Sequence, residues 1–187
     1  RDSMTDPALL ALRIRDAGHA LGFARVGFAP AADFDAAREP LSAWLDAGHQ
    51  GGMTYLSGPG DRTDPRALLA SVKTVIVVAL PYGGAAVPLR RARDTETDLV
   101  GAVARYALGD DYHHVIKEKL RALARTCATL VGREIEWRAC VDTAPLLERE
   151  AARRAGIGFT GKSAMTIAPC LGTYFLLGEL LVDVELP

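Results

Sequence analysis

The run Val75-Ile-Val-Val-Ala-Leu80, closed by Pro81, constrains the fold of this chain more than any other feature. Its β-branched residues crowd a helical turn but suit a pleated strand, and Pro81 cannot donate to a ladder. Six apolar positions without a polar interruption leave neither face for water. The strand therefore belongs inside a sheet that is covered on both sides.

The rest of the sequence supplies that cover. Leu9, Leu10, Ile14, Ala17 and Leu21 follow Asp6-Pro7 at helical spacing and predict a helix over 7–21. Phe23 to Phe28 alternates as a short strand, and Asp33 to Ala47 reads as a second helix, interrupted or restarted at Pro40 and ended by Gly48. Asp110 or Asp111 caps a long helix that carries Ile116, Leu120, Leu123, Cys127 and Leu130 on one face, so Cys127 reads as a core side chain.

Arg133 to Val141 alternates as a strand. Thr143 is expected to cap a further helix, with Pro145 in its first turn, Glu148 and Glu150 near its start, and Gly156 just beyond its end. Ser163 to Ile167 and Tyr174 to Val184 read as extended. Gln50 to Pro65 is a loop with an apolar island at Met53, Tyr55 and Leu56, and Gly83 to Asp98 is a loop whose Arg90, Arg91 and Arg93 read as solvated. The alternation predicts an α/β class (an α+β sandwich), with a central mixed sheet flanked by helices and no internal repeat.

Composition narrows the function classes. A length of 187 residues suits one domain, and 49% hydrophobic with 24% charged residues excludes a disordered chain. A net charge of −1 creates no global field toward nucleic acid or anionic lipid. The longest apolar stretch, Leu171 to Val184, is broken by Glu179 and Asp183, short of the roughly 18 residues of a membrane span. The start, Arg1-Asp2-Ser3-Met4, has no basic-then-apolar leader, so a cytoplasmic location is expected.

Three cysteines, Cys127, Cys140 and Cys170, contain no C-x-x-C pair and encode neither a disulfide framework nor a self-contained metal cluster. Cys170, after Pro169, reads as a small buried hydrophobe. His113-His114 is not expected to form a metal pair, because adjacent side chains on a helix diverge.

Gly156-Ile-Gly-Phe-Thr-Gly161-Lys162-Ser163 matches the phosphate-loop pattern G-x-x-x-x-G-K-[ST], and Val182-Asp183 resembles the acidic strand that holds its metal. A true phosphate loop follows a strand and opens a helix, whereas this one follows the helix read over 146–155 and precedes β-branched residues and Pro169. A nucleotide triphosphatase is therefore a minor alternative. The glycines stop a helix and make a turn, or allow close backbone approach to another ligand with Lys162 and Ser163 donating to its polar edge.

Several stretches taken in order carry more weight: Gly52-Met-Thr-Tyr-Leu56, Arg62-Thr-Asp-Pro65 before Val75 to Tyr82, and Ala104-Arg-Tyr-Ala-Leu-Gly-Asp-Asp-Tyr-His113. They continue with Val141-Asp-Thr-Ala-Pro-Leu-Leu-Glu-Arg149, Ala155-Gly-Ile-Gly-Phe-Thr-Gly-Lys162 and Leu177-Gly-Glu-Leu-Leu-Val-Asp183. In order and spacing, from about Leu21 onward, the chain resembles the N-terminal, cobalamin-binding DUF1730-type domain of the epoxyqueuosine reductase family. It departs from that family's pattern around the Gly-Lys stretch, where Phe159 and Ser163-Ala164 stand, and at Cys170.

The resemblance implies a fold like that of flavin reductases and cobalamin-processing proteins. It implies an oxidoreductase that reduces the epoxide of epoxyqueuosine in tRNA to queuosine, using cob(II)alamin and [4Fe–4S] clusters. By motif match Asp142 would supply the proton, and Arg62, Arg105, Tyr106, Gly161, Lys162 and Ser163 would contact cofactor or substrate. A helix N-terminus would lower the pKa of Asp142, and burial under the corrin face would raise it. Tyr112 reads as core and His113 as a solvated first-turn residue.

Residues 1–187 are expected to form a single catalytic domain, with the ferredoxin-like [4Fe–4S] part and its electron donor placed after residue 187. At this length the chain is expected to be monomeric, to make no membrane contact, and to bind cobalamin without turning over. The alternative reading is a corrinoid- or flavin-binding module acting on another substrate.

Overall fold

The computed structural model describes residues 6–58, 60–82 and 103–187; Arg90, Arg91 and Arg93 lie outside the described residues. Four strands, β1 (Arg25–Pro30), β2 (Thr74–Pro81), β3 (Trp137–Cys140) and β6 (Phe175–Val182), form one sheet in the order β1-β2-β6-β3. Its central strand β2 is the apolar run, with Thr74 to Ala79 all buried. A two-stranded hairpin, β4 (Phe159–Thr160) with β5 (Thr166–Ile167), stands apart from it.

The α/β class holds, but every pairing in the sheet is antiparallel rather than mixed. The connection through α3 (Tyr112–Val131) joins β2 to β3, two strands that run parallel to each other. They never touch, because β6 is inserted between them as the shared antiparallel neighbour.

Each face of the sheet has its own core. Ile76, Val78, Leu180 and Val182 point to one side and pack under Ile14 of α1 (Pro7–Ala20) and Ile116, Leu120, Leu123 and Cys127 of α3. Val75, Val77, Ala79 and Leu181 point to the other, against Ala151 and Ala152 of α4 (Glu148–Arg154). A fully buried Val, Ile or Leu contributes about 1.5–3 kcal/mol, so the two layers account for why β2 tolerates no polar residue. The fourth helix, α2 (Asp35–Asp46), has Pro40 inside it and buries no residue fully.

Close approach of α4 requires a glycine. A Cβ on Gly27 of β1 would lie 2.1 Å from the carbonyl oxygen of Ala155, at the end of α4. Gly27, Val77, Glu179 and Cys140 are register partners across the sheet and form one row beneath that helix.

The elements differ from the sequence reading at several ends. The first strand starts at Arg25, because Gly22 (φ +90°) and the bond from Phe23 N–H to Gly18 still close helix α1. Thr143 caps no helix: residues 142–147 are a tight turn, α4 starts at Glu148, and the N–H of Leu147 donates to the carbonyl of Arg62. Cys170 is exposed in a turn at φ +62° and is not a buried hydrophobe. Cys127 is buried as expected.

The phosphate-loop match fails in three dimensions as in sequence context. Gly156 (φ +70°) ends α4, and the following residues enter the β4–β5 hairpin instead of a helix. Gly158 is needed because a Cβ there would lie 2.3 Å from the Ile167 carbonyl oxygen. Among the described residues no helix is long and apolar enough to cross a membrane.

Candidate active site

Strand β3 is an edge of the sheet, and two residues beyond its end stands Asp142. Its φ of +53° is left-handed, a conformation Asp tolerates better than most residues but one that still costs energy unless contacts hold it. Those contacts come from both helical layers. Asp142 donates its backbone N–H to the Glu148 carboxylate at the start of α4. Its side-chain Oδ2 accepts from the Tyr112 hydroxyl at 2.9 Å and lies 3.3 Å from His113 Nε2.

Tyr112 and His113 are placed by the N-terminus of α3. Asp111 is its N-cap, accepting the backbone N–H of His113 at 2.9 Å and pairing with His113 Nδ1 at 2.8 Å. The imidazole therefore spans Asp111 and Asp142, stacked on the Tyr112 ring at 4.1 Å. The backbone N–H of His113 is the chief cause that holds the Asp111 carboxyl below its usual range. Burial, with the bond to Asp142 next, pushes the Tyr112 hydroxyl well up, so it stays a donor. The Asp142 side chain itself is 59% exposed, open to whatever lies outside.

What lies beside it is aromatic. Tyr174, Tyr82, Tyr106 and Tyr112 follow one another edge to face at 5.8, 6.0 and 5.9 Å, and the Arg105 guanidinium sits 5.7 Å from the Tyr174 ring centre. Tyr106 and Tyr174 are exposed. An exposed aromatic surface ending at a carboxylate suits a large, flat ligand with a polar reacting group.

Behind Asp142 the site is carboxyl-rich. Glu179, in the middle of β6, is completely buried, and among the described residues neither of its oxygens has a donor. The group in reach is the carboxyl of Glu148. Burial, opposed by the N–H of Asp142, pushes Glu148 up to about 7, and burial together with the Glu148 charge holds Glu179 well above the carboxylate range.

Of the residues expected from sequence, the structure brings together Asp142, Arg105 and Tyr106, with Tyr106 touching the Tyr112 ring that serves Asp142. Arg62 is elsewhere. Its guanidinium donates to the carbonyls of Tyr55 (2.8 Å) and Leu56 (3.3 Å) and lines a groove of about 420 Å3 beside α2. Gly161, Lys162 and Ser163 form the exposed turn of the β4–β5 hairpin, tied to α4 through the Arg149 guanidinium and the Ala164 carbonyl at 2.6 Å. The helix expected to act on Asp142 starts only at Glu148.

Tyr112 proves to be half core and half site, and His113 a bridge between two carboxylates rather than a solvated residue. Tyr82, Tyr174, Glu148 and Glu179 were not readable as site residues. The one signal was Glu179, a lone charge inside the apolar strand 175–182.

Comparison with known proteins finds relatives by sequence and by fold. Residues 62–143 match the family described as epoxyqueuosine reductase QueG, DUF1730. The chain is 39% identical over 188 residues to the epoxyqueuosine reductase of Pseudomonas aeruginosa, covering 99% of this chain and 50% of that protein. Its fold superposes with TM-score 0.84 on an epoxyqueuosine reductase crystallised with an epoxyqueuosine-modified tRNA-Tyr stem loop, at 29% identity over 97% of this chain and 47% of that one. It superposes with TM-score 0.77 on the Bacillus subtilis enzyme, described with an aspartate catalytic loop swung out of its active site, at 29% identity over 97% of this chain and 47% of that one. The chain spans about half the length of the curated relatives it matches. By sequence and by fold it is related to the epoxyqueuosine reductases over nearly its whole length, with residues 62–143 matching their DUF1730 domain.

Proposed function

We propose that this chain is the cobalamin-binding, proton-supplying domain of an epoxyqueuosine reductase that acts on tRNA in the cytoplasm. The observation that carries the reading is Asp142, an exposed carboxylate held from behind and set at the end of an exposed tyrosine surface. In this reading residues 1–187 are one domain, a monomer, and [4Fe–4S] clusters in a ferredoxin-like part of the enzyme deliver the electrons.

The residues present fit cobalamin by their chemistry. Tyr106 and Tyr174 offer exposed rings to a flat macrocycle, while Arg105, Lys162 and Ser163 offer donors to its amide and phosphate groups. Bound cobalamin would supply the reducing centre. Reduction of an epoxide to an alkene takes two electrons and two protons and releases the oxygen as water, so a proton donor must reach that oxygen.

Asp142 is the group we assign to it. Tyr112 and His113 both engage Oδ2, and among the described residues Oδ1 has no hydrogen-bond partner, which leaves it to face the substrate. The Tyr112 hydroxyl orients the carboxyl, and the Tyr106 ring against Tyr112 keeps that hydroxyl in place. Arg62 would act through the 53–58 loop it holds rather than by touching the reacting atoms.

The test is ligand by ligand. Cob(II)alamin, FMN and ATP are each added to the chain and thermal unfolding is followed. A ligand at one hundred times its Kd adds about 2.7 kcal/mol of stability. Stabilisation by cob(II)alamin is expected, and stabilisation by ATP or FMN alone overturns the reading.

A further inference from the structure

We propose that Glu148 and Glu179 share one proton and act as a positioning pair for Asp142, with Glu148 gripping the Asp142 backbone N–H and so holding the left-handed turn that presents the carboxylate. The role in catalysis rests on the function proposed above. The proton sharing and the grip on the turn do not.

The argument starts from Glu179. It lies between its register partners Val77 and Cys140, entirely buried, with no donor for either oxygen among the described residues. A lone buried carboxylate is strongly disfavoured and takes up a proton instead. Glu148 approaches from α4, and two facing carboxyls hydrogen-bond only when one of them carries a proton. The pair is thus built to hold one.

Among the described residues no cation forms an ion pair with either carboxyl, and only the charge of Arg149 favours an ionised Glu148. Arg149, next to Glu148, sends its guanidinium out to the Ala164 carbonyl, and Arg138 of β3 sends its own to the Leu68 carbonyl. Among the described residues the other groups around the pair are Asp142, whose charge opposes further negative charge, the neutral Cys140 thiol, the Tyr112 hydroxyl, and Lys117 of α3, whose charge acts on Cys140. Burial drives both carboxyls toward the protonated form, Glu179 further than Glu148.

One arrangement gives the Glu179 proton an acceptor and leaves Glu148 a carboxylate for the Asp142 N–H. The Glu179 carboxyl O–H donates to Glu148, and the resulting Glu148 carboxylate accepts the N–H of Asp142 in a charge-assisted bond. Removing the first proton of the pair tightens the Asp142 turn, and adding it back loosens the turn. Asp142 is exposed, and among the described residues this bond from behind is the one that anchors its backbone.

Nuclear magnetic resonance on the 187-residue chain tests this without cofactor or substrate. The Cδ carbons of Glu148 and Glu179 and the amide of Asp142 are followed from acid to alkaline pH, with the His113 ring carbons read separately because that ring also faces Asp142. The Glu179 carbon is expected to stay at its protonated position through neutrality. The Glu148 carbon and the Asp142 amide are expected to titrate together near neutrality.

Glu148→Gln should abolish the amide titration. Glu179→Gln, whose amide N–H replaces the acid as donor, should keep it, and Glu179→Leu should move the midpoint upward. Two carboxyls titrating together in the ordinary acid range overturn the proposal, and that measurement needs no variant to fold. An Asp142 amide that follows the His113 ring, or is unchanged by Glu148→Gln, overturns it too. Failure of cob(II)alamin to bind would defeat the proposed function and leave these outcomes as they are.

Discussion

The Tyr112 hydroxyl donates to Asp142 Oδ2 over 2.9 Å, joining the first turn of α3 to the chain leaving β3. The two helical layers of the sandwich meet at this point, since Asp142 also donates its N–H to Glu148 on the opposite face. Tyr112→Phe keeps the ring stacked on His113 and edge to face with Tyr106 and removes only the donor. An intramolecular hydrogen bond of this kind contributes about 0.5–1.5 kcal/mol net, and urea unfolding should register a loss of that size.

Asp142 separates chemistry from conformation. Asp142→Asn tolerates the left-handed backbone and should unfold within about 0.5 kcal/mol of the parent. Asp142→Ala adds the strain of an ordinary residue at φ +53°, about 1 kcal/mol more. In an enzyme that carries the domain with its clusters, both should lower turnover about 10²–10⁴-fold, the usual contribution of a positioned acid. Turnover that survives Asp142→Asn would remove Asp142 from the acid role.

The contribution of Glu148 and Glu179 to stability should fall as pH rises past the ordinary carboxyl range toward neutrality and beyond. Glu148 is raised from its ordinary value of 4.5 to about 7 and Glu179 further still, so the folded chain holds protons that the unfolded chain releases. The stabilisation contributed by this pair is then complete below about pH 4.5 and declines as pH rises to about 7 and beyond, by a few kcal/mol. Urea unfolding at a series of pH values measures the slope, and Glu179→Gln should flatten its alkaline part.

Gly27 carries the contact between β1 and α4. Gly27→Ala would put a Cβ 2.1 Å from the backbone oxygen of Ala155, and backbone cannot step aside as a side chain would. Overpacking of this kind costs about 1–3 kcal/mol, so thermal unfolding should drop clearly. An unchanged midpoint would mean that α4 sits further from the sheet.

The thiols should divide one against two. Cys170 is exposed, whereas Cys127 and Cys140 are buried, and burial pushes their thiols up to about 11 and about 12. A thiol reagent under native conditions should label Cys170 quickly and the other two only as the chain unfolds. Mass spectrometry of labelled peptides reads the order directly.

Periodicity made the frame legible. The apolar run 75–80, the α3 face through Ile116, Leu120, Leu123 and Cys127, and the Asp6 and Asp111 caps all stand where spacing puts them. These are local properties, set by backbone stereochemistry and by which face of one element meets water. Motif order likewise pointed to Asp142, Arg105 and Tyr106. It misplaced the start of α4, because the turn 142–147 is held by Arg62 and Glu148, contacts from other segments that no local signal records.

By itself, then, the sequence determined the two-sided burial of β2, the helices that cover it, and the carboxylate at the end of β3. The tertiary structure alone decided that the sheet is antiparallel, that Tyr112 and His113 hold Asp142, and that Glu148 meets Glu179 beneath it. The reason is physical: side-chain pattern dictates which surface an element hides. Which carboxyl a buried carboxyl faces depends on how separate elements stack, and Glu148 and Glu179 come together only when α4 lies down on β6.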